Sequence, residues 1–223
     1  MADRENTLRN SIKTVTELKG KKRLAFVWGY YKAHIITAAV LLVALFSVLN
    51  LIFFNPKPKS ILTVSFYGAT VSDESCLSLS EALNVSLLKE GEAGRHTVKA
   101  HSYLSDIDNT YKASREMDMF LAYFFMKEHD IIIFDMERFD ELASQEGLFL
   151  ECGEYLTQTQ IERLSGSLMA AGEDEKTRCV MIGADNAYLK RFGIDPENLV
   201  LAVFSNSGRI DRVREAVPII LSE

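Results

Sequence analysis

The feature that most constrains this chain is an uncharged apolar stretch, IITAAVLLVALFSVLNLIFF, at residues 35–54. As a helix, about 20 residues extend about 30 Å, which matches the hydrocarbon thickness of a bilayer, and a helix satisfies its own backbone groups there. A buried core helix of this kind would need a large soluble protein around it. A cleaved signal peptide would have a shorter apolar segment and a small-residue cleavage site, which the following Asn55-Pro56 does not provide. We therefore expect an uncleaved signal anchor that crosses the membrane once and contacts lipid through residues 35–54.

The charged residues are distributed unevenly around this stretch. Residues 1–34 carry eight basic and three acidic side chains, whereas the chain from Ser60 onward carries 15 basic and 28 acidic ones. Basic residues close to a span stay on the cytoplasmic side of the cell membrane. We expect a cytoplasmic basic tail at 1–34, a short Pro-containing tether at 55–60 and one extracellular domain at 61–223. The net charge of −13 on that domain argues against a nucleic-acid partner.

Beyond the tether, the apolar pattern alternates between strand and helix. Three strand-helix units are expected in succession, and the third strand, Asp130 to Asp135, is a continuous apolar run bracketed by acids, which is typical of a strand buried on both faces. Successive units of this kind are typical of a parallel sheet. We predict a single doubly wound, mainly parallel α/β domain. The other predicted strands begin at Ile61 and at His96 or lie at Cys179–Ala184 and Leu199–Phe204. The predicted helices begin at Ser72 and at Ser105 or lie at Met136–Gln145, Thr157–Leu168 and Asn186–Phe192. A last helix is predicted from Arg209 to Leu221, and Pro218 should kink or end it.

Two segments of the domain resemble a known family. The run DIIIFDMERFDELASQEGLFLECGEYL, residues 130–156, and the run LVLAVFSNSGRIDRVREAVPIIL, residues 199–221, look like parts of bacterial extracellular solute-binding proteins with the type 2 periplasmic-binding fold. The resemblance implies a lobe that is closed by a last strand, a Ser-Asn-Ser turn and a helix. Such receptors close two lobes over a ligand, and here only residues 157–177 could form the second one. The resemblance therefore implies one membrane-anchored lobe, which lacks the partner face that would bury a small molecule.

A ligand of an open parallel sheet binds outside the carboxyl ends of the strands. Polar residues follow several predicted strands. Residues that only form turns or cap helices have the same composition. The sequence therefore leaves open whether the domain binds a small molecule. No cofactor is expected, because the sequence contains no Gly-rich phosphate loop and no Cys or His pair at metal-ligand spacing. The candidate ligand-binding residues are Thr70, Ser105, Asp135, Glu137, Ser205 and Asn206.

Catalytic patterns are weak. Ser86-Leu87-Leu88-Lys89 matches S-x-x-K, in which Lys deprotonates a Ser one helical turn away, but the accompanying S-D-N and K-T-G elements are missing from the sequence. His129 beside Asp130 is interpreted as a cation at a helix end.

We predict a binding or interaction module with a membrane or envelope protein as its partner, and no enzymatic activity. A structural subunit of a membrane complex and a Ser/Lys extracytoplasmic hydrolase are the alternatives.

Cys76, Cys152 and Cys179 all fall in the predicted extracellular domain, where an oxidising compartment permits one disulfide. Cys152 with Cys179 is the preferred pair because both flank the same short insertion. Three unpaired cysteines that behave as small apolar residues are the open alternative.

Overall fold

The structure is a computed structural model of the chain, and it describes residues 20–53, 58–103, 110–145, 147–172 and 176–222. The chain divides into two compact units, residues 1–57 and residues 58–223. Residues 55–57, half of the predicted tether, lie outside the described residues.

The first unit contains one long helix, α1 (Lys21–Phe53). Its segment Tyr31–Asn50 is long and apolar enough to cross a membrane, and none of that segment is buried by other parts of the protein. Val40, Leu42 and Phe46 are more than 60% exposed. A helix that is apolar on all sides is unfavourable in water and favourable in lipid. The predicted span at 35–54 therefore coincides, up to Phe53, with a helix that has the length and composition of a membrane segment.

The second unit is an α/β domain built on a six-stranded sheet with the strand order β2-β1-β3-β6-β5-β4. β1 pairs in parallel with β2 and with β3, whereas β6 runs antiparallel to both β3 and β5, and β4 runs antiparallel to β5. The sheet is therefore mixed. The strands are β1 (Lys59–Tyr67), β2 (His96–Tyr103), β3 (Ile131–Asp135), β4 (Leu168–Ala170), β5 (Thr177–Met181) and β6 (Leu199–Val203).

Helices cover both faces of this sheet, as the doubly wound prediction requires. The first face packs against α2 and α8, and the second packs against α3 and α4. The helices of the domain are α2 (Asp73–Leu87), α3 (Thr110–Phe125), α4 (Phe139–Ala143), α5 (Cys152–Tyr155), α6 (Gln158–Arg163), α7 (Ala187–Lys190) and α8 (Ile210–Ile220), with one 3-10 turn at Met136–Arg138 before α4.

The alternation of side chains along β1 separates the two cores. Leu62, Val64 and Phe66 are fully buried on the first face, while Ser65 and Tyr67 point to the second. This follows from the two-residue period of a strand. In β3 every apolar side chain is fully buried, because both of its faces are covered by helices. The central strands therefore hold the two layers of helices together.

The predicted mainly parallel sheet needs one correction, which concerns the direction of the last strand. β6 enters the sheet between β3 and β5 and runs against both. A parallel crossover normally requires a substantial helix, and α7 before β6 has only four residues. The chain therefore turns back at the same end of the sheet, and hydrophobic periodicity carries no signal for that choice of direction.

Two local predictions also differ from the structure. Leu168 belongs to the short strand β4 and not to a helix, which ends at Arg163. The last helix continues past Pro218 to Ile220. Proline removes one backbone donor, and so close to the end of a helix this loss affects few bonds.

Candidate functional site

The predicted ligand-binding residues fall at opposite ends of the sheet. Thr70, Asp135 and Glu137 follow the carboxyl ends of the parallel strands β1 and β3. Ser205 and Asn206 follow β6, which is antiparallel, so they lie at the amino end of β3 instead. Ser105 lies outside the described residues. The sheet therefore does not bring this predicted set together.

At the first of these ends the polar groups cap local structure. The Asp135 carboxylate accepts a hydrogen bond from the Glu137 backbone N–H at 2.9 Å and starts the 3-10 turn. Gly68 has a φ of +72°, and a Cβ there would lie 3.3 Å from the Arg138 side chain. Thr70 is exposed. Their ligand-binding role stays a prediction.

At the opposite end, the turn after β6 is fixed by bonds to neighbouring loops. Ser205 Oγ donates to the Gly147 carbonyl, and Asn206 Nδ2 donates to the Phe124 carbonyl at 3.1 Å. The next residue in this turn, Ser207, donates through its hydroxyl to Asp130. These contacts make the turn part of a larger buried polar cluster.

Asp130 is the centre of that cluster and is completely buried. Its Oδ2 accepts the Thr63 backbone N–H at 2.7 Å, and its Oδ1 accepts Arg209 Nε at 2.9 Å as well as the Ser207 hydroxyl. Arg209 donates in addition to the carbonyls of Ser60 and Glu128. Burial raises the pKa of Asp130, while the Ser207 hydroxyl, the Arg209 guanidinium and the Thr63 N–H partly counteract that effect. The arrangement is a buried, fully bonded ion pair that ties β1, β3 and the start of α8 together.

His129, next to this pair, is also buried and uses both ring nitrogens. Its Nε2 faces the Phe120 carbonyl at 3.2 Å and must donate there, so its Nδ1, 2.6 Å from Ser65 Oγ, accepts the serine proton. Burial lowers the pKa of His129 to about 4. The interpretation of His129 as a cation at a helix end is therefore wrong, because the imidazole is neutral at pH 7.

The Ser65–His129 pair has the geometry of a nucleophile and its base, but not the access. Ser65 is completely buried, and a carbonyl rather than a carboxylate orients the imidazole. A substrate cannot reach the hydroxyl without displacing the core. The cluster is best explained as a polar network that holds the sheet to α3.

The Ser86 and Lys89 side chains take part in separate interactions. α2 ends at Leu87, so Lys89 does not continue the helix that carries Ser86. The Ser86 hydroxyl donates to the Ala82 carbonyl, and the Lys89 ammonium is 3.7 Å from the Glu215 carboxylate. This geometry lends no support to a Ser/Lys mechanism.

The preferred disulfide is not formed. Cys76, Cys152 and Cys179 are free and buried. Cys152 belongs to the core of the first face and Cys179 to that of the second, so the plane of the sheet separates their side chains. Burial raises the pKa of Cys179 to about 12 and that of Cys152 above its usual range, so both are protonated thiols.

Among the described residues no group of three or more His, Cys, Asp or Glu could hold a metal ion.

A groove of about 710 Å³ runs along the outer edge of β2. β2 is the edge strand of the sheet, and it pairs only with β1 among the described strands. α2 forms one wall of the groove and α3 the other. We call this the β2-edge groove, and its lining includes Leu77, Ser80, Lys99, Ala100, His101, Ser102, Arg115, Met119 and Tyr123.

The backbone groups of β2 that point away from β1 differ along the strand in whether a side chain caps them. The Val98 N–H points away from β1 and is capped by Asn84 Oδ1 from α2 at 2.6 Å, and the Val98 carbonyl accepts the Thr97 hydroxyl. Because outward groups recur every second residue, those of Ala100 and Ser102 point into the groove. The Ser102 hydroxyl is also buried, and no partner for it exists among the described residues. Among the described residues, the edge is closed at Val98, and the outward backbone groups of Ala100 and Ser102 have no partner.

Sequence reasoning did not single out this edge, although one signal was present. The β2 sequence HTVKAHSY mixes polar and apolar residues, in contrast to the all-apolar β3, as expected for a strand at the margin of a sheet. His101 on this strand stacks with Tyr123 of α3, with ring centroids 6.4 Å apart, and burial lowers its pKa. The groove therefore has an aromatic stretch at His101 and Tyr123 beside the outward backbone groups of β2.

Comparison of the chain with profiles of protein families, with curated proteins and with solved structures found no match.

Proposed function

We propose that this chain is a single-pass membrane-anchored interaction module that binds an extended segment of a partner protein along β2. The observation that carries the proposal is the edge at Ala100 and Ser102 inside the β2-edge groove, which no other described strand covers. An extended peptide can add a strand to such an edge, where its main chain supplies hydrogen bonds and the flanking walls select its side chains.

The open shape of the groove favours an extended peptide over a compact small molecule. It is an open trough between two helices, whereas small-molecule sites enclose most of their ligand. Asn84 closes the edge at Val98, so the added strand would pair over only a few residues. Short pairing of this kind suits a reversible contact, with specificity supplied by Lys99 and Arg115 on the rim and by Met119 within it.

The anchoring half of the proposal is supported by α1. Its exposed apolar surface and the excess of basic residues before it favour an amino terminus in the cytoplasm and the α/β domain outside the cell. In this arrangement the partner is a membrane or envelope protein that comes within reach of the tethered domain.

We also propose a relationship to one lobe of the solute-binding proteins that the sequence resembles. Residues 130–156 form a buried strand followed by short helices, and residues 199–221 form a central strand, a Ser-Asn-Ser turn and a packed helix. These are the elements that the resemblance implies. Residues 157–177 form α6, β4 and the start of β5 in place of a second lobe, so the proposed binding mode differs from closure over a solute.

The test uses the full chain in its native membrane, with a photo-activated cross-linking amino acid in place of Lys99, an exposed residue of the groove. We expect a discrete cross-linked partner from this position. The same probe at the exposed Gln158 on α6 should give none.

A second substitution separates strand addition from mere proximity. Ala100→Pro removes an outward N–H that β1 does not use, and an edge strand tolerates proline on its open side. We expect the cross-link to fall by about tenfold, as the loss of roughly 1.4 kcal/mol of binding would produce. Ala100→Ser keeps the N–H and should preserve the cross-link. An undiminished cross-link in a folded Ala100→Pro variant would rule out strand addition.

A further inference from the structure

The outer surface of α3 changes character along the helix. Its first half and its middle present charged residues such as Arg115 and Asp118. Its last turn and the following residue present Leu121, Phe125 and Met126, which are 42%, 77% and 59% exposed. Leu121 and Phe125 are four residues apart and so lie on the same side. We call these three side chains the apolar end of α3.

This apolar end lies where the chain enters the domain. Met126 and Pro58 line the same cavity of about 450 Å³, together with Lys59 at the start of β1. Pro58 follows Phe53, the last residue of α1, by only five residues. Five residues of chain reach at most about 17 Å. The apolar end of α3 therefore lies beside the residue at which the domain begins, five residues after the end of α1.

The charges around the apolar end are compatible with a lipid surface. Lys59 and Lys127 are exposed beside it, and the acids Glu128 and Asp211 lie next to them. Arg209 is also close, but its charge is matched by Asp130. The net charge of −13 on the whole domain opposes contact with anionic lipid. Charges farther away than the screening length of about 8 Å act weakly, so contact is confined to this apolar part of the surface, where the lysines and acids balance.

We infer that the apolar end of α3 inserts into the interfacial layer of the bilayer that holds α1, with Phe125 at its centre. Aromatic and aliphatic side chains flanked by lysines are the composition that binds this layer. The inference rests on the proposed membrane anchoring. It adds a second contact between the chain and the membrane.

Tryptophan fluorescence in lipid nanodiscs tests this inference on the full chain. The chain contains a single tryptophan, Trp28, three residues before the apolar segment that starts at Tyr31. The unmodified chain therefore reports whether α1 is inserted. In a Trp28→Phe background, Phe125→Trp reports on the apolar end of α3. Tyr111→Trp is the matched control, because Tyr111 is 82% exposed on the same helix and about 21 Å away at 1.5 Å per residue.

The nanodiscs contain phosphatidylcholine and phosphatidylglycerol brominated near the headgroup end of the acyl chains. We expect Trp28 and Phe125→Trp to be quenched about twofold or more relative to unbrominated lipid, and Tyr111→Trp to be unaffected, because bromine quenches only tryptophans that reach the acyl boundary. Quenching of Trp28 without quenching of Phe125→Trp would overturn the inference while leaving the anchor intact. Equal quenching of Phe125→Trp and Tyr111→Trp would also overturn it. If Trp28 is not quenched either, the anchoring itself fails, and this inference fails with it.

Discussion

The ion pair between Asp130 and Arg209 should be among the most sensitive points of the fold. Asp130→Ala leaves the Arg209 guanidinium half-buried and leaves the Thr63 N–H without its acceptor. Breaking one side of a buried pair typically costs about 3–5 kcal/mol of unfolding free energy. We expect a loss of that size in urea unfolding of the chain in detergent.

The matched control is Lys89→Ala, which breaks the exposed Lys89–Glu215 pair. Exposed pairs contribute about 0–1 kcal/mol, so this variant should be nearly as stable as the original chain. Equal, small effects of both substitutions would show that the Asp130 network does not stabilise the domain.

His129 should make the stability of the domain dependent on pH in a defined window. Its pKa is lowered to about 4 in the folded state, against about 6.5 in the unfolded chain. Between these values the unfolded chain binds a proton that the folded protein does not, so the stabilisation is complete above pH 6.5 and falls as the pH decreases towards 4. The loss attributable to His129 is on the order of 3 kcal/mol.

His129→Gln isolates this contribution, because glutamine can donate to the Phe120 carbonyl but does not titrate. Urea unfolding at several pH values should show a smaller decrease for the variant than for the original chain between pH 6.5 and 4. Parallel curves for the two proteins would mean that His129 is not held neutral by burial.

Contacts between residues that are far apart in the sequence could not be predicted from the sequence alone. The acids around β3 could be identified, and so could the turn containing Ser205 and Asn206. What could not be foreseen is that Arg209 reaches Asp130 across 79 positions of sequence, or that Ser65 pairs with His129 across 64. Both depend on the direction of β6 and on the packing of α3, which local composition does not encode.

At the scale of single elements, the closed half of the β2 edge gives a further prediction. Asn84→Ala removes the acceptor of the buried Val98 N–H. An unsatisfied buried donor costs about 1–3 kcal/mol, of which the better helix propensity of alanine offsets about half a kcal/mol. We expect a net destabilisation of about 1–2 kcal/mol in thermal or urea unfolding.

Val85→Ala, one residue along α2, serves as the control, because Val85 is 86% exposed and its loss should change the stability by less than about 0.5 kcal/mol. If Asn84→Ala is no worse than Val85→Ala, the Asn84 cap does not close the edge at Val98.

Elements with a strong local signal were predictable, and those defined by long-range pairing were not. The Ser72 hydroxyl accepts the Ser75 N–H at 3.1 Å and starts α2 where the cap pattern indicated. β3 matches its apolar run. β4 has only three residues and forms because β5 is beside it, and α7 is too short to have its own periodicity. Edge position and strand direction are likewise properties of the assembled sheet.

For the whole molecule, the division into a long apolar helix and an acidic α/β domain is the part that sequence composition predicted best. A 20-residue apolar segment and a change in hydrophobic period are signals that need no tertiary information. The mode of partner binding is the opposite case. It depends on which strand ends at the margin of the sheet and on how much of that margin the neighbouring helix covers.

The two cores predict that the domain folds without the apolar helix. Among the described residues, every side chain of both clusters comes from beyond Pro58, so removal of the apolar helix is expected to leave both cores intact. A chain that begins at Pro58 should therefore be soluble in water and should unfold in one cooperative transition. Its midpoint should lie within about 2 °C of that of the domain in the full chain in detergent, since a shift of that size corresponds to less than about 1 kcal/mol for a domain of this length. Near-ultraviolet circular dichroism and calorimetry measure this directly. Loss of the near-ultraviolet signal with retained helical content would mean that the cores need the segment before Pro58 in order to pack.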